Sequence, residues 1–296
     1  MSDCAINLDR WLGERLSMIG ASESPALFYE GYKNESPYTL YKRKIGELPS
    51  QSDEENEALE WGREIQPVVL KMFTKRTGIE VEDLGPFTIQ RHPNLPFIGA
   101  TLDGLAYVDG RKAVVEAKNV GQYRAAEWAD DLPPLRVQVQ VAHQMLAAGA
   151  DLGFTAACIG GNKLVWQRIE RNEKFEATLI QVLTDFWRCV ETRTPPPVDG
   201  SIATAKALAA LYPKDDGGTA VLPAEAAEWD KLLTDAKEQI KELEAIKVAA
   251  ENKLKAAIGD NSFGEVGGEC RYSWKWQERS EHIVKASSFR VLRRIK

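Results

Sequence analysis

Gly99-Ala100-Thr101-Leu102-Asp103-Gly104-Leu105, followed by Val114-Val115-Glu116-Ala117-Lys118, is the stretch on which the reading of this chain turns. Twelve residues separate Asp103 from Glu116, and Lys118 comes one residue beyond Ala117. Between them stands Asp109-Gly110, a strong two-residue hairpin signal. The flanking residues therefore predict strands over 104–108 and 112–118, with Asp103 just ahead of the first. Alternate side chains of a strand share a face, so Glu116 and Lys118 point one way while Val115 and Ala117 face apolar packing. Ala113-Val114-Val115 reads as buried strand, where an unpaired Glu is costly. Two convergent carboxylates hold a hard divalent cation, and a neighbouring ammonium serves a water or an anionic oxygen. That is equipment for metal-assisted phosphodiester hydrolysis. The plainer reading, a solvated acid and lysine at a strand edge, is also compatible with this spacing alone.

Upstream, further β-like stretches lie near 86–92 and 97–100, and residues 53–77 read as a long helix ended by Gly78. Val68, Val69, Met72 and Phe73 recur there at helical spacing. Glu57, Glu60 and Glu64 lie along the same helix, mostly as its wet face, with room for one to turn inward. Ser24-Pro25 and Ser36-Pro37 each pair an N-cap residue with a proline suited to the first helical position. Residues 7–16 form another short helix. Between them Gly20-Ala21-Ser22 is either an anion-binding helix start or an ordinary capping sequence.

Downstream, Pro133-Pro134 opens a helix to about Ala148. It carries Gln138, Gln140, His143 and Gln144 among Val137, Val139, Val141, Met145 and Leu146. Gln140 and Gln144 share a face, which is either a polar pocket or an exposed side. His143 has no second His at a ligand spacing, which argues against zinc. Residues 153–160 and 163–169 predict a hairpin, and 172–193 a helix stopped by Pro195-Pro196-Pro197. The order of elements is α/β (α+β) with a central mixed sheet flanked by helices. The expected organisation is a core over 1–197, a linker over 198–222, an amphipathic, coiled-coil-like helical arm over 223–260, and a small basic β-rich tail over 261–296. Trp229, Leu233, Ala236, Ile240 and Leu243 alternate by four and three; they pack within the protein or form a coiled-coil seam.

Composition sets outer bounds. The 296 residues are 44% hydrophobic, enough for a sizeable core, and the formal net charge of −6 argues mildly against a protein that coats nucleic acid. The charge is uneven, since residues 262–296 hold eight Lys/Arg against four Glu. No apolar run approaches the roughly 20 residues that span a bilayer, and no secretory signal is visible. The scattered Cys4, Cys158, Cys189 and Cys270 suit neither a disulfide framework nor zinc, and fit a reducing cytosol.

Five motifs then stand in order: Arg15…Ile19-Gly20-Ala21-Ser22-Glu23, Trp61-Gly62-Arg63-Glu64, Leu102-Asp103-Gly104-Leu105, Glu116-Ala117-Lys118 and Gln138-Val139-Gln140. Over about residues 10–195 the chain resembles the YqaJ-like viral recombinases, relatives of phage lambda exonuclease in the PD-(D/E)XK nuclease superfamily, with a restriction-endonuclease-like core. The resemblance implies a Mg²⁺-dependent 5′→3′ exonuclease on double-stranded DNA ends, with Mn²⁺ able to substitute. Asp103, Glu116 and the backbone carbonyl of Ala117 would ligate metal, Lys118 would serve the attacking water, and Gln140 would position the phosphate or Lys118. Arg15 and Ser22 would hold the terminal 5′-phosphate. The family's glutamine motif lies either on Gln138 to Gln140 or on His143-Gln144. The resemblance further implies a trimeric ring around DNA, a single-strand annealing protein as partner, and a phage or prophage protein in the cytoplasm of a bacterial host. One departure stands out: where the family carries a helical acid before proline, this chain has Gln66-Pro67, so either Glu64 or Gln66 completes the site, or metal affinity or activity is lowered. Two rivals share the fold: a structure-specific or nicking endonuclease, and a catalytically weakened DNA-binding or assembly protein.

Overall fold

The computed structural model describes residues 3–31, 35–49, 57–268, 270–281 and 288–293. The chain divides into two compact units, residues 1–213 and 214–296. In the first, the elements run α1 (Asp3–Leu16), β1 (Ile19–Gly20), a 3-10 turn (Ser24–Phe28), α2 (Pro37–Lys44), α3 (Glu57–Thr77), β2 (Val81–Glu82), β3 (Ile89–Arg91), β4 (Ile98–Thr101), β5 (Gly104–Val108) and β6 (Arg111–Val120). They continue with a 3-10 turn (Gln122–Trp128), α4 (Leu135–Ala148), β7 (Leu152–Ile159), β8 (Lys163–Glu170), α5 (Glu173–Thr192) and α6 (Ile202–Leu211). The expected start of α3 at residue 53 falls in 50–56, outside the described residues.

The central sheet has the order β2-β5-β6-β7-β8. It is mixed: β6 and β7 are parallel, with Glu116 opposite Thr155, and the other neighbours are antiparallel. The β5–β6 hairpin turns at Asp109 (φ 51°) and Gly110 (φ 77°), both in the left-handed region that Asp-Gly tolerates. Alternation along β6 divides its side chains between two cores. Ala113 and Val115 pack with Val69, Leu70 and Phe73 of α3 on one face. Val114 and Val120 pack with Val137, Val141 and Met145 of α4 on the other. Glu116 and Lys118 share the parity of Val114 and so belong to the α4 face.

A second, three-stranded sheet of order β1-β4-β3 flanks the first. Its β1 runs parallel to β4, which pairs Ile19 with Ile98 and Gly20 with Gly99. This short pairing brings the loop after Gly20 beside the segment leading to Asp103. Met18 packs over Gly99, where an added Cβ would lie 2.2 Å from the Met18 sulfur and would force that side chain to move.

The expected linker is corrected in part. Residues 202–211 form α6, and Ala203, Thr204 and Ala207 are buried. Ser36 and Thr204 hydroxyls meet at 2.8 Å, tying α6 to the capping box of α2. The prolines do stop α5, but Ser201 caps a new alanine-rich helix, a composition of high helix propensity and slim enough to pack closely. The core therefore extends from 197 to 213.

In the second unit, α7 (Ala226–Ile258) is a single helix of 33 residues. An antiparallel pair, β9 (Phe263–Val266) and β10 (Cys270–Ser273), follows it. Trp229, Ile240 and Leu243 on α7 are exposed. Parts of the basic tail, 282–287 and 294–296, lie outside the described residues.

Candidate active site

The loop between β4 and β5 delivers Asp103, β6 delivers Glu116 and Lys118, and α4 delivers two glutamines. Asp103 Oδ2 accepts the backbone N–H of Ala117 at 2.8 Å. Glu116 is only 3% exposed, yet every donor it needs is present. Its Oε1 accepts from Lys118 Nζ at 2.5 Å and from Gln140 Nε2 at 2.6 Å. Its Oε2 accepts from Gln144 Nε2 at 2.5 Å. Lys118 Nζ also donates to Gln140 Oε1 at 3.0 Å, closing a three-membered ring of contacts. Charge-assisted bonds of this kind are what allow a carboxylate to be buried.

Each of the two alignments of the glutamine motif contributes one residue to the cluster around Glu116. Gln140 and Gln144, one turn apart on α4, both grip Glu116. Gln138 turns away and donates to the carbonyl of Pro133 at 2.6 Å. His143 is fully buried, with Nε2 3.1 Å from the Gly99 carbonyl, and burial pushes its pKa down to about 4. It is a neutral packing group between α4 and β4.

Asp103 carries the strain of the cluster. Burial, and then the charge of Glu116, push its pKa up to about 8, against the pull of Lys118 and the Ala117 N–H. Two carboxylates facing each other with too little compensating charge are the setting a hard cation relieves.

Both acids open onto a cavity of about 160 Å³. Asp103, Glu116 and Gln140 line it together with Arg15, Gly20 and Ser22. Arg15 extends from the end of α1, its guanidinium 4.8 Å from the centre of the Trp11 ring and its Nη2 3.3 Å from Glu23 Oε1. Residues remote in sequence thus meet in one pocket, anionic at one end and cationic at the other.

The helical candidates stand apart from it. Glu60 and Glu64 are exposed, while Gln66 is half-buried on the α3 stripe that also carries Val69, Leu70 and Phe73. None of the three lines the cavity. Among the described residues no group of three or more His, Cys, Asp or Glu is placed to hold an ion. A donor set of two carboxylates and a backbone carbonyl fits Mg²⁺, which binds through one or two carboxylates and keeps several waters.

Glu23 and Lys44 do not line the pocket but support Arg15, which does, and no role for either was expected from the sequence. Lys44 Nζ donates to Glu23 Oε2 at 2.7 Å, and its side chain is 2% exposed. The signal was legible: Lys44 falls on the helical stripe of Pro37, Leu40 and Tyr41, where an apolar residue is the rule.

The fold is a mixed α/β class with a central mixed sheet flanked by helices, carrying an acid before its hairpin and an acid-x-lysine pair on the strand after it. Residues 10–151 match the YqaJ-like viral recombinase domain. The chain is 32% identical over 271 residues to the uncharacterized protein YqaJ of Bacillus subtilis (strain 168), covering 90% of this chain and 83% of that protein. It belongs to the YqaJ-like viral recombinase family. Its fold is similar to that of an alkaline exonuclease, LHK-Exo, from Laribacter hongkongensis, with a TM-score of 0.53 and 21% identity over 63% of this chain and 94% of that one. The same enzyme in complex with dAMP matches with the same values.

Proposed function

We propose that this protein is a metal-dependent deoxyribonuclease that digests double-stranded DNA from its ends, 5′→3′, leaving 3′ single strands for recombination. The observation that supports it most is the single cavity shared by Asp103, Glu116 and Gln140 with Arg15 and Ser22. A scissile phosphodiester at the acidic end and a terminal phosphate at the cationic end match that polarity. The family's viral recombinases and the fold shared with an alkaline exonuclease point the same way.

Asp103, Glu116 and the Ala117 carbonyl would hold Mg²⁺, for which Mn²⁺ would substitute. When bound, the ion supplies an acidified water and positive charge opposite the phosphate oxygens. Lys118 places an ammonium beside the same oxygens and, with Gln140, keeps Glu116 oriented toward the cavity. Arg15 and the Ser22 hydroxyl bind the 5′-phosphate and set which end is presented. A homo-oligomeric ring would let a chain of net charge −6 stay on a polyanion. A single-strand annealing protein would receive the product strand.

The direct test of direction uses duplexes labelled on one strand at either end, incubated with the full chain and Mg²⁺. Release of mononucleotides from the 5′-labelled terminus first, with the 3′ label retained on long strands, is expected. First release from the 3′ terminus would overturn the proposed polarity.

A further inference from the structure

Behind the cationic end of the cavity lies a charge cluster that hydrolysis itself does not use. Lys44, the last residue of α2, is buried and bridges two segments: its Nζ donates to the Arg15 carbonyl and to Glu23 Oε2, each at 2.7 Å. The same Glu23 oxygen accepts the Gly20 N–H at 2.7 Å, while its other oxygen lies 3.3 Å from Arg15 Nη2. One carboxylate thereby fixes both the guanidinium and the turn that precedes Ser22. The packing is close: a Cβ on Gly20 would come within 3.2 Å of Glu23 Oε2 and 3.3 Å of Arg15 Nη2.

We propose that Lys44 is a positioning residue for the terminal phosphate: it clamps Glu23 so that Glu23 orients Arg15, and it keeps this end of the cavity net positive. The inference rests on the reading of Arg15 and Ser22 as the phosphate ligands. Lys44 is too buried to touch DNA and acts through its neighbours. An Arg15–Glu23 pair alone would be neutral, and the carboxylate would repel the phosphate that the guanidinium attracts. With Lys44 the cluster holds two positive charges against one negative. Burial pushes Glu23 up, but Lys44 and Arg15 outweigh it and hold the carboxyl below its usual range, so the acid is ionised. A simple staple between α1 and α2 would be better made of apolar side chains, since burying an ion pair is a poor source of stability.

The experiment measures the affinity of the full chain, in EDTA, for two duplexes that differ only in a 5′-phosphate or a 5′-hydroxyl. The wild type favours the phosphorylated end by about tenfold, the worth of one charge-assisted hydrogen bond. In Lys44→Met this ratio falls to about one, whereas a merely structural Lys44 lowers both affinities and preserves the ratio. Should Lys44→Met not fold, Lys44→Gln removes the charge while keeping an amide donor for Glu23 and the Arg15 carbonyl, and carries the same expectation. Retention of the wild-type ratio in either variant overturns the proposal. Arg15→Ala runs in parallel. If it too keeps the ratio, or the wild type shows none, the phosphate-pocket reading fails and takes this inference with it. If Arg15→Ala alone loses the ratio, only the role of Lys44 is refuted.

Discussion

Asp103 Oδ2 accepts the N–H of Ala117 at 2.8 Å, just where the β5–β6 ladder runs out at Gly104 and Val115. The carboxylate takes over as partner for β6 on the side where that ladder has ended. The N–H and C=O of one strand residue point to the same side, so the Ala117 carbonyl is presented toward Asp103. One hydrogen bond thus draws the two carboxylates and a backbone oxygen together, the three groups proposed to hold the ion.

Replacing Asp103 by Asn keeps a carbonyl oxygen for Ala117 and removes a carboxyl whose ionisation burial and the charge of Glu116 oppose in the metal-free protein. Metal-free Asp103→Asn is expected to be more stable than the wild type by about 1 kcal/mol at neutral pH. Mg²⁺ is expected to raise the melting temperature of the wild type and not that of the variant. Calorimetry with and without Mg²⁺ checks both; an equal rise in the two proteins would place the ion elsewhere.

Lys118 and Gln140 support Glu116 from one side. Lys118→Met leaves a buried carboxylate with amide donors only and is expected to cost about 1–3 kcal/mol, since the lysine is itself partly exposed. Its rate of DNA hydrolysis should fall by about 10²–10³-fold. Gln140→Leu removes two bonds to charged groups, one to Glu116 and one from Lys118, and should cost at least about 1.5–3 kcal/mol in urea melts. Wild-type turnover in either variant would separate Glu116's support from catalysis.

On α3, only Gln66 among the three candidates is turned toward the sheet. Glu60→Ala, Glu64→Ala and Gln66→Glu should each leave the half-saturating Mg²⁺ concentration within about twofold, because none of the three lines the cavity. A titration of activity against Mg²⁺ decides; a large effect of Glu64→Ala would show that α3 turns its other face inward.

His143 supplies a pH dependence free of the metal site. Its folded pKa of about 4 lies below the ordinary value of 6.5, so the unfolded chain binds the proton more readily. Stability from this group is complete above pH 6.5 and is lost as pH falls toward 4. His143→Gln should flatten the fall in unfolding free energy between pH 6.5 and 4 by up to about 3 kcal/mol. Parallel curves for the two proteins would contradict a buried neutral imidazole.

Much of this was legible in the sequence because it rests on local chemistry. Asp109-Gly110 fixes the hairpin, strand alternation puts Glu116 and Lys118 on one face, and Ser36-Pro37 caps α2. What was not legible depends on partners distant in sequence. β1 is two residues long and exists only by pairing with β4. β2 likewise borrows its ladder from β5. α6 was hidden by the prolines before it, and its alanines show no strong periodicity until α2 gives them a face. Gln138, Gln140 and Gln144 look alike in sequence; only the position of Glu116 below α4 tells which of them turn inward.

The central claim is that Asp103 and Glu116 form the metal-dependent catalytic centre of an end-dependent DNA nuclease. Purified wild type and Asp103→Asn, each incubated with linear and covalently closed circular duplex in Mg²⁺ or EDTA, test it most directly. The account predicts digestion of the linear duplex alone, by the wild type alone, and only with Mg²⁺. Digestion by Asp103→Asn at the wild-type rate, or equal digestion of the closed circle, would contradict it.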